Sequence, residues 1–369
     1  MNKKLKSDLI EYVYSLKNEK SQFHFLPAAD GLTNWGKKIR LGFSCFAIKC
    51  FYMLGEWDSL EDDKKSNWID YINSFQIKND KYIENSYVDK VFLDYYQSFD
   101  LQRDIKNLLK SGINIVLPNR YESKNDRLAK TFVAESKQAI ATLNQIGSVN
   151  KFPYYEFPQR DNDINNYLNR FNWNRPWNAG AQFASICVFS STQLKNEDKK
   201  QSFSLLENFI NNKLNHDSGL YYTGQYPGSV ESINGAMKVL TGLEWINVNI
   251  HFPKKIIDYC LENKPNSEGC DLVDIIYVLY RCSSETDYRK KDISNYFDEL
   301  ERKIMNHYRP EEGGFSYFLN KSQTHYYNLP ISKGDNFADL HGTTLLLWAI
   351  TLINNFRESE EKIFNIIKA

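Results

Sequence analysis

The chain has 369 residues, with 46 Lys plus Arg balancing 46 Asp plus Glu for a formal charge of zero. That balance carries no basic surplus of the kind that draws nucleic acid or anionic lipid, and the length is ample for a large buried core. No run reaches membrane-span length, the N-terminal stretch lacks the unbroken apolar segment of a signal peptide, and the six cysteines are scattered without a C-x-x-C pair. The expectation is therefore a cytoplasmic chain with buried, reduced thiols at Cys45, Cys50, Cys187, Cys260, Cys270 and Cys282.

In chain order, two kinds of helical pattern alternate. LKSDLIEYVYSL (5–16) is amphipathic, and RLGFSCFAIKCFYML (40–54) is apolar nearly all round. KSNWIDYINSFQ (65–76) is amphipathic again, and LAKTFVAESKQAIATLNQI (128–146) and NAGAQFASICVFSS (178–191) are rich in small and apolar residues. FSLLENFINNKL (203–214) has a polar face, SINGAMKVLTGLEWI (232–246) and DLVDIIYVLYRC (271–282) do not, YFDELERKIMNHY (296–308) does, and LHGTTLLLWAI (340–350) closes the series. A helix apolar on every side is a buried one. Six such helices with amphipathic partners predict an all-α protein, an (α/α)6 toroid whose inner ring surrounds a central cavity. No linker divides residues 1–369, so one domain is expected. The stretch 83–127 fits least well and reads as an extra outer pair, YVDKVFLDYY and LQRDIKNLLKSG.

A repeat supports the layering. FINNKLNHDSGLYY (209–222) and KIMNHYRPEEGGFSYF (303–318) share a helix, a polar turn, then an acidic residue close to Gly and aromatics, and WIDYINSFQIKNDKYI (68–83) is a weaker third copy. Each of the two strong copies leads into a helix opening with a polar residue before Gly: Asn234-Gly235 and His341-Gly342.

EEGGFSYF followed by DLHGTTLLLWAI resembles the repeat of the squalene cyclase and protein prenyltransferase superfamily, in which an outer helix, a GGF-like turn and an inner helix of a toroid succeed one another. The resemblance implies an enzyme performing acid–base chemistry on a bulky, largely apolar substrate in the central cavity. The cyclases' D-x-D-D acid has no counterpart; the nearest string, LEDDKK (60–65), belongs to a charged turn, and no D-D-x-x-D is present to hold diphosphate through magnesium. Of the prenyltransferases' zinc set, Asp274 and His341 match, but Ile276 stands where the thiolate belongs, so zinc is not expected and no cofactor is predicted.

The candidate chemistry lies at the helix openings. Asp339 reads as the N-cap of the last inner helix. His341, in its first turn, feels the positive end of the helix dipole, which favours the neutral imidazole of a base or a hydrogen-bond donor. Asn234 takes the equivalent place in the preceding repeat, with Lys238 one turn further along the same face. The loop SQTHYYNLPISKGDNFA (322–338) brings Tyr326 and Tyr327 as acids and His325 and Lys333 as ligand contacts. NRFNWNRPWNAGAQ (169–182) offers Trp173, Trp177 and Asn178 to a sugar face or isoprenoid chain, Arg175 to a carboxylate or phosphate, and Tyr222 joins them from the neighbouring repeat. For each of these a purely structural role is the competing reading.

Two further functions fit the same residues. A polysaccharide lyase on a similar toroid needs a group that neutralises a uronate carboxylate, a His or Tyr base and a Tyr acid, all present as types. A non-catalytic toroid that binds a ligand or partner needs only the cavity. G-x-S-x-G, phosphate-cradling loops, dinucleotide fingerprints and H-E-x-x-H are all missing from the sequence, which excludes the corresponding hydrolases and nucleotide-driven enzymes as readings. The partner is then a small molecule or a glycan.

Overall fold

A computed structural model describes residues 3–19, 21–78, 83–99, 123–265, 268–357 and 365–368. In chain order its helices are α1 (Lys3–Ser15), α2 (Leu41–Met53), the short α3 (Glu56–Ser59), α4 (Asp62–Asn73), α5 (Lys90–Gln97), α6 (Lys124–Gln145) and α7 (Asp161–Leu168). They continue with α8 (Pro176–Gln193), α9 (Asn196–Asn211), α10 (Ser229–Ile246), α11 (Pro253–Glu262), α12 (Cys270–Ser283), α13 (Lys290–Asn306) and α14 (Leu340–Phe356). The protein is an all-α toroid. Helices α2, α6, α8, α10, α12 and α14 each pack on the next, and α14 returns to α2 to close the ring. These are the six segments whose apolar residues run round every face. In α12, for example, Leu272 to Leu279 are buried without interruption. The outer helices bury one stripe only, as α9 does with Leu206, Phe209 and Ile210.

Small residues set the closest inner contact. A Cβ on Gly235 of α10 would lie 2.5 Å from the Pro176 ring at the start of α8, and one on Gly180 of α8 would lie 3.0 Å from the Lys238 Cβ. The two backbones therefore approach more closely than side-chain-bearing residues allow.

Outer helices reach inner ones through short hairpins, and here the repeat becomes physical. Strands β1 (Tyr308–Arg309) and β2 (Gly314–Phe315) pair antiparallel after α13, and single bridges Leu214–Tyr221 and Gln76–Tyr87 stand in the same place after α9 and α4. The weak third copy is thus a true repeat, and a fourth, unread in the sequence, is the Lys17–Phe25 bridge after α1. Gly342 is required where α14 meets its hairpin, because a Cβ there would collide with the Tyr317 backbone nitrogen.

Asp339 caps α14, as its position predicts, and does more. One carboxylate oxygen accepts from Gly342 N at 2.7 Å, and the other from Tyr317 N at 2.7 Å and Gln323 N at 3.1 Å, with the side chain buried. It ties the helix to the hairpin before it and to the loop between them.

The differences from expectation have local causes. Helices α7, DNDINNYL, and α11, opening at Pro253, are only 8 and 10 residues long, so the apolar stripe each buries is too brief to stand out from the polar segments around it. Loop 322–338 is not open: strands β3 (His325–Tyr326) and β4 (Leu329–Pro330) form a hairpin in it, and Thr33 N donates to Ile331 O at 3.0 Å. Of the extra outer pair, the first member is α5, which packs on α6; LQRDIKNLLKSG (101–112) lies outside the described residues. The six cysteines are free thiols, all buried but the half-buried Cys270. No described helix is long and apolar enough to cross a membrane.

Replacing Asp339 with Ala strips the acceptor from three backbone amides at once. The expected loss of stability is about 2–4 kcal/mol, read from the urea midpoint at unchanged slope; a loss under about 0.5 kcal/mol, the ordinary range of a surface substitution, would contradict this role.

Candidate functional site

Helices α2, α6, α8 and α10 and the tip of the β3–β4 hairpin line a cavity of about 500 Å³ that is partly open to solvent, within the range of small-ligand sites. One face of α6 supplies Arg127, Lys130, Ala134, Lys137 and Ala141, spaced three, four, three and four apart as one helical stripe requires. Lys49 enters from α2, Lys238 from α10, Trp177 and Asn178 from the first turn of α8, and Tyr327 and Asn328 from the hairpin tip. Among the described residues, no ion pair or hydrogen bond involves the ammonium of Lys49, Lys137 or Lys238.

Three ammonium groups crowded into one enclosure disfavour one another's charge. Burial, then the charges of Lys238 and Lys49, bring the Lys137 ammonium down to about 7, with the Cys187 thiol a small opposing influence. Burial also lowers Lys49, partly offset by Cys45 and Cys50. The nearby carboxyls shift the other way. Burial pushes Asp274 up to about 7, Lys238 opposing and Asp271 adding. Burial and the charge of Asp89 push Glu135 up to about 8. Asp274 and Glu135 each keep one buried oxygen with no hydrogen-bond partner among the described residues. The cavity therefore holds amines without ion-pair partners among the described residues, beside carboxyls whose hold on a proton burial has strengthened.

The hairpin tip is built to enter this space. Tyr327 and Asn328 take positive φ of 44° and 67°, the two-residue turn with both centres left-handed that matches strand twist. Asn tolerates that conformation, whereas Tyr does not, and such strain gathers at functional positions. Tyr326, next to it, points into the core: its hydroxyl donates to Glu135 Oε1 at 2.9 Å, and Gly42 leaves it room, since a Cβ there would lie 2.5 Å from the Tyr326 oxygen. The two tyrosine rings are 4.3 Å apart.

Of the residues singled out from the sequence, Lys238, Tyr327, Trp177 and Asn178 line this one cavity. His341 is not among its lining residues. Its ring stacks on Phe46 at 4.5 Å, and its Nδ1 lies 2.9 Å from Gln323 Oε1; with that oxygen accepting, Nδ1 carries the hydrogen and Nε2 keeps a lone pair. Burial and then Lys49 and Lys238 hold its pKa at about 3, so the neutral imidazole expected from its helix position is enforced mainly by desolvation and lysines. Asn234 donates to Asp271 Oδ1 at 2.6 Å, and Ile276 is fully buried in the core.

The remaining candidates lie elsewhere. Trp173 is a core residue, 3% exposed, its indole N–H donating to Leu168 O at 3.0 Å. Arg175 lines a separate surface hollow of about 520 Å³ with Asn174, Tyr226 and Glu231. Tyr222 packs against Tyr226 at 6.3 Å, and His325, beside Thr324 Oγ1 at 3.0 Å, and Lys333 are both exposed. Lys49 and Lys137 were missed. Lys49 carried a signal, a lone lysine in the otherwise apolar α2, whereas Lys137 lies in a helix that also holds Lys124, Arg127, Lys130 and Glu135 and so did not stand out. Among the described residues no group of three or more His, Cys, Asp or Glu side chains converges as metal ligands.

No protein-family model matches the sequence, and no curated protein matches it. One solved structure, named as a polysaccharide lyase, is similar over 96% of this chain and 98% of its own, at 11% identity and a TM-score of 0.44.

Glu135 gives the site a signature in stability. Its folded carboxyl, raised to about 8 from the ordinary 4.5, holds its proton more tightly than an unfolded glutamate does. Its contribution is therefore fully present below the unfolded value and is lost as pH rises through the folded one. Glu135→Gln keeps an acceptor for Tyr326 and is expected to flatten the fall in melting temperature between about pH 5 and pH 8; an unchanged slope would contradict a buried, protonated Glu135.

Proposed function

We propose that the chain is a lyase that cleaves an acidic, uronate-containing polysaccharide by elimination in the central cavity. The observation that carries this reading is the set of three lysines, Lys49, Lys137 and Lys238, facing one enclosure without counter-ions among the described residues. An apolar substrate would leave those amines desolvated and unpaired, a costly arrangement. A carboxylated sugar supplies the missing charge, so the glycan reading is favoured over the bulky apolar substrate that the cyclase resemblance implies.

In this reading Lys49 and Lys238 bind the uronate carboxylate and draw electron density from it, which acidifies the neighbouring C–H. Lys137, poised near neutrality, accepts that proton. The carbon–oxygen bond beyond it breaks, the electron pair of the C–H bond becomes a carbon–carbon double bond, and the departing oxygen takes a proton from the Tyr327 phenol. That phenol is raised above its ordinary value by burial and then by Glu135, so it is fully protonated before the reaction. Trp177, 46% exposed at the edge of the enclosure, offers a ring face for sugar stacking.

The test is incubation with a panel of acidic and neutral polysaccharides, following the absorbance of the conjugated double bond. Cleavage confined to the uronates is expected. Lys238→Met should raise KM by about 10- to 100-fold, the worth of one charge-assisted hydrogen bond. Tyr327→Phe should lower kcat by about 10²- to 10⁴-fold at similar KM. Tight binding of an acidic glycan with no new double bond would leave a non-catalytic binding toroid, and silence in both assays would remove the reading.

A further inference from the structure

Lys137 differs from other lysines in how it is housed. It projects from the middle of α6 into the enclosure, has no hydrogen-bond or ion-pair partner among the described residues, and faces Lys49 from α2, Lys238 from α10 and the Cys187 thiol from α8. An amine placed among other cations and partly withdrawn from water is the arrangement that turns a lysine into a nucleophile toward carbonyl carbon. The flanking ammonium groups at the same time attract an anion, and the cavity of about 500 Å³ is large enough to admit one beside the amine.

We propose that Lys137 is a covalent capture site for small aldehydes and ketones that carry an anionic group, the anion resting on Lys49 and Lys238. The Lys137 Nζ lone pair attacks the carbonyl carbon and a carbon–nitrogen bond forms. The carbonyl oxygen leaves as water with the two amine protons, giving a neutral imine, so the step needs no oxidant, reductant or second reactant. The uncharged amine that this step requires is present because burial and the two neighbouring lysines hold Lys137 at about 7. The inference uses the amine of Lys137 and the charge of its neighbours, and it does not depend on the polysaccharide reading.

The experiment treats the full chain with pyridoxal 5′-phosphate near neutral pH, reduces it with borohydride and maps the modified peptide. One equivalent on Lys137 is expected at a reagent level that leaves surface lysines unmarked. Pyridoxal, which lacks the phosphate, should label at least about tenfold more weakly, one lost charge-assisted contact. Lys49→Met and Lys238→Met should weaken labelling by the phosphate compound and move its half-maximal pH upward, because removing a neighbouring cation lets Lys137 keep its proton. Lys137→Arg, which retains the charge, should abolish the label. Label spread evenly over surface lysines, or equal labelling by both compounds, would overturn the proposal, and the wild-type peptide map decides it even if a variant fails to fold. Selective labelling without glycan cleavage would remove only the lyase reading, and glycan cleavage with unselective labelling would remove only this one.

Discussion

Closing a ring of helices demands that the first and last inner members meet in fixed register, and two buried carboxylates meet that demand here. Asp339 accepts three backbone N–H groups around the start of α14. Asp89 does the same around the start of α2, taking Arg40 N at 2.6 Å, Leu41 N at 3.0 Å and Val91 N at 3.2 Å. The two helices they position are the pair at the seam, where Cys50 Sγ and Thr344 Oγ1 are 3.2 Å apart. A carboxylate surrounded by amide donors recovers much of the solvation it loses on burial. Such groups tie together backbone segments far apart in sequence without depending on shape matching alone.

The carboxyls nearer the cavity behave differently, and the contrast defines the site. Burial raises the proton affinity of all four, but Asp339 and Asp89 have their oxygens filled by backbone, whereas Glu135 and Asp274 each retain an unpartnered oxygen. Acids that hold their protons more tightly than usual offset lysine charge only in part, so the cationic character of the cavity persists although acidic residues lie close by. The seam is neutralised by amides, and the cavity is left electrically incomplete. That imbalance is what the proposed anionic ligand would complete.

Much of this architecture was legible in the sequence because it rests on periodicity. The six inner helices announce themselves by apolar residues at every angle, and Asp339 before His341-Gly342 is a readable cap. Short helices such as α7 show their apolar stripe, Ile164 and Leu168, only once and are held by packing. The site was legible only in part. Lys238 stood out as a charge on an apolar helix beside the repeat's Asn234; Lys49 carries the same mark without a repeat to single it out, and Lys137 is one of several charges along α6. That the three share one enclosure follows from ring closure, which brings residues from α2, α6 and α10 together and leaves no trace in local sequence. Trp173 and Trp177, four residues apart, show the opposite limit: one is sealed in the core and the other open, a distinction set by tertiary contacts.

The hairpin tip that carries Tyr327 lies nearly two hundred residues after Lys137, and the helix that completes the ring comes later still. A ribosome that has finished α10 has made every lysine of the enclosure but neither its tyrosine nor its last wall. Chains lengthen from the N-terminus at a pace slow compared with helix formation, so the amines are first exposed on a half-built, open arc. The cavity is complete only when the C-terminal third arrives, and a chain cut short before that point holds the charges without the chamber.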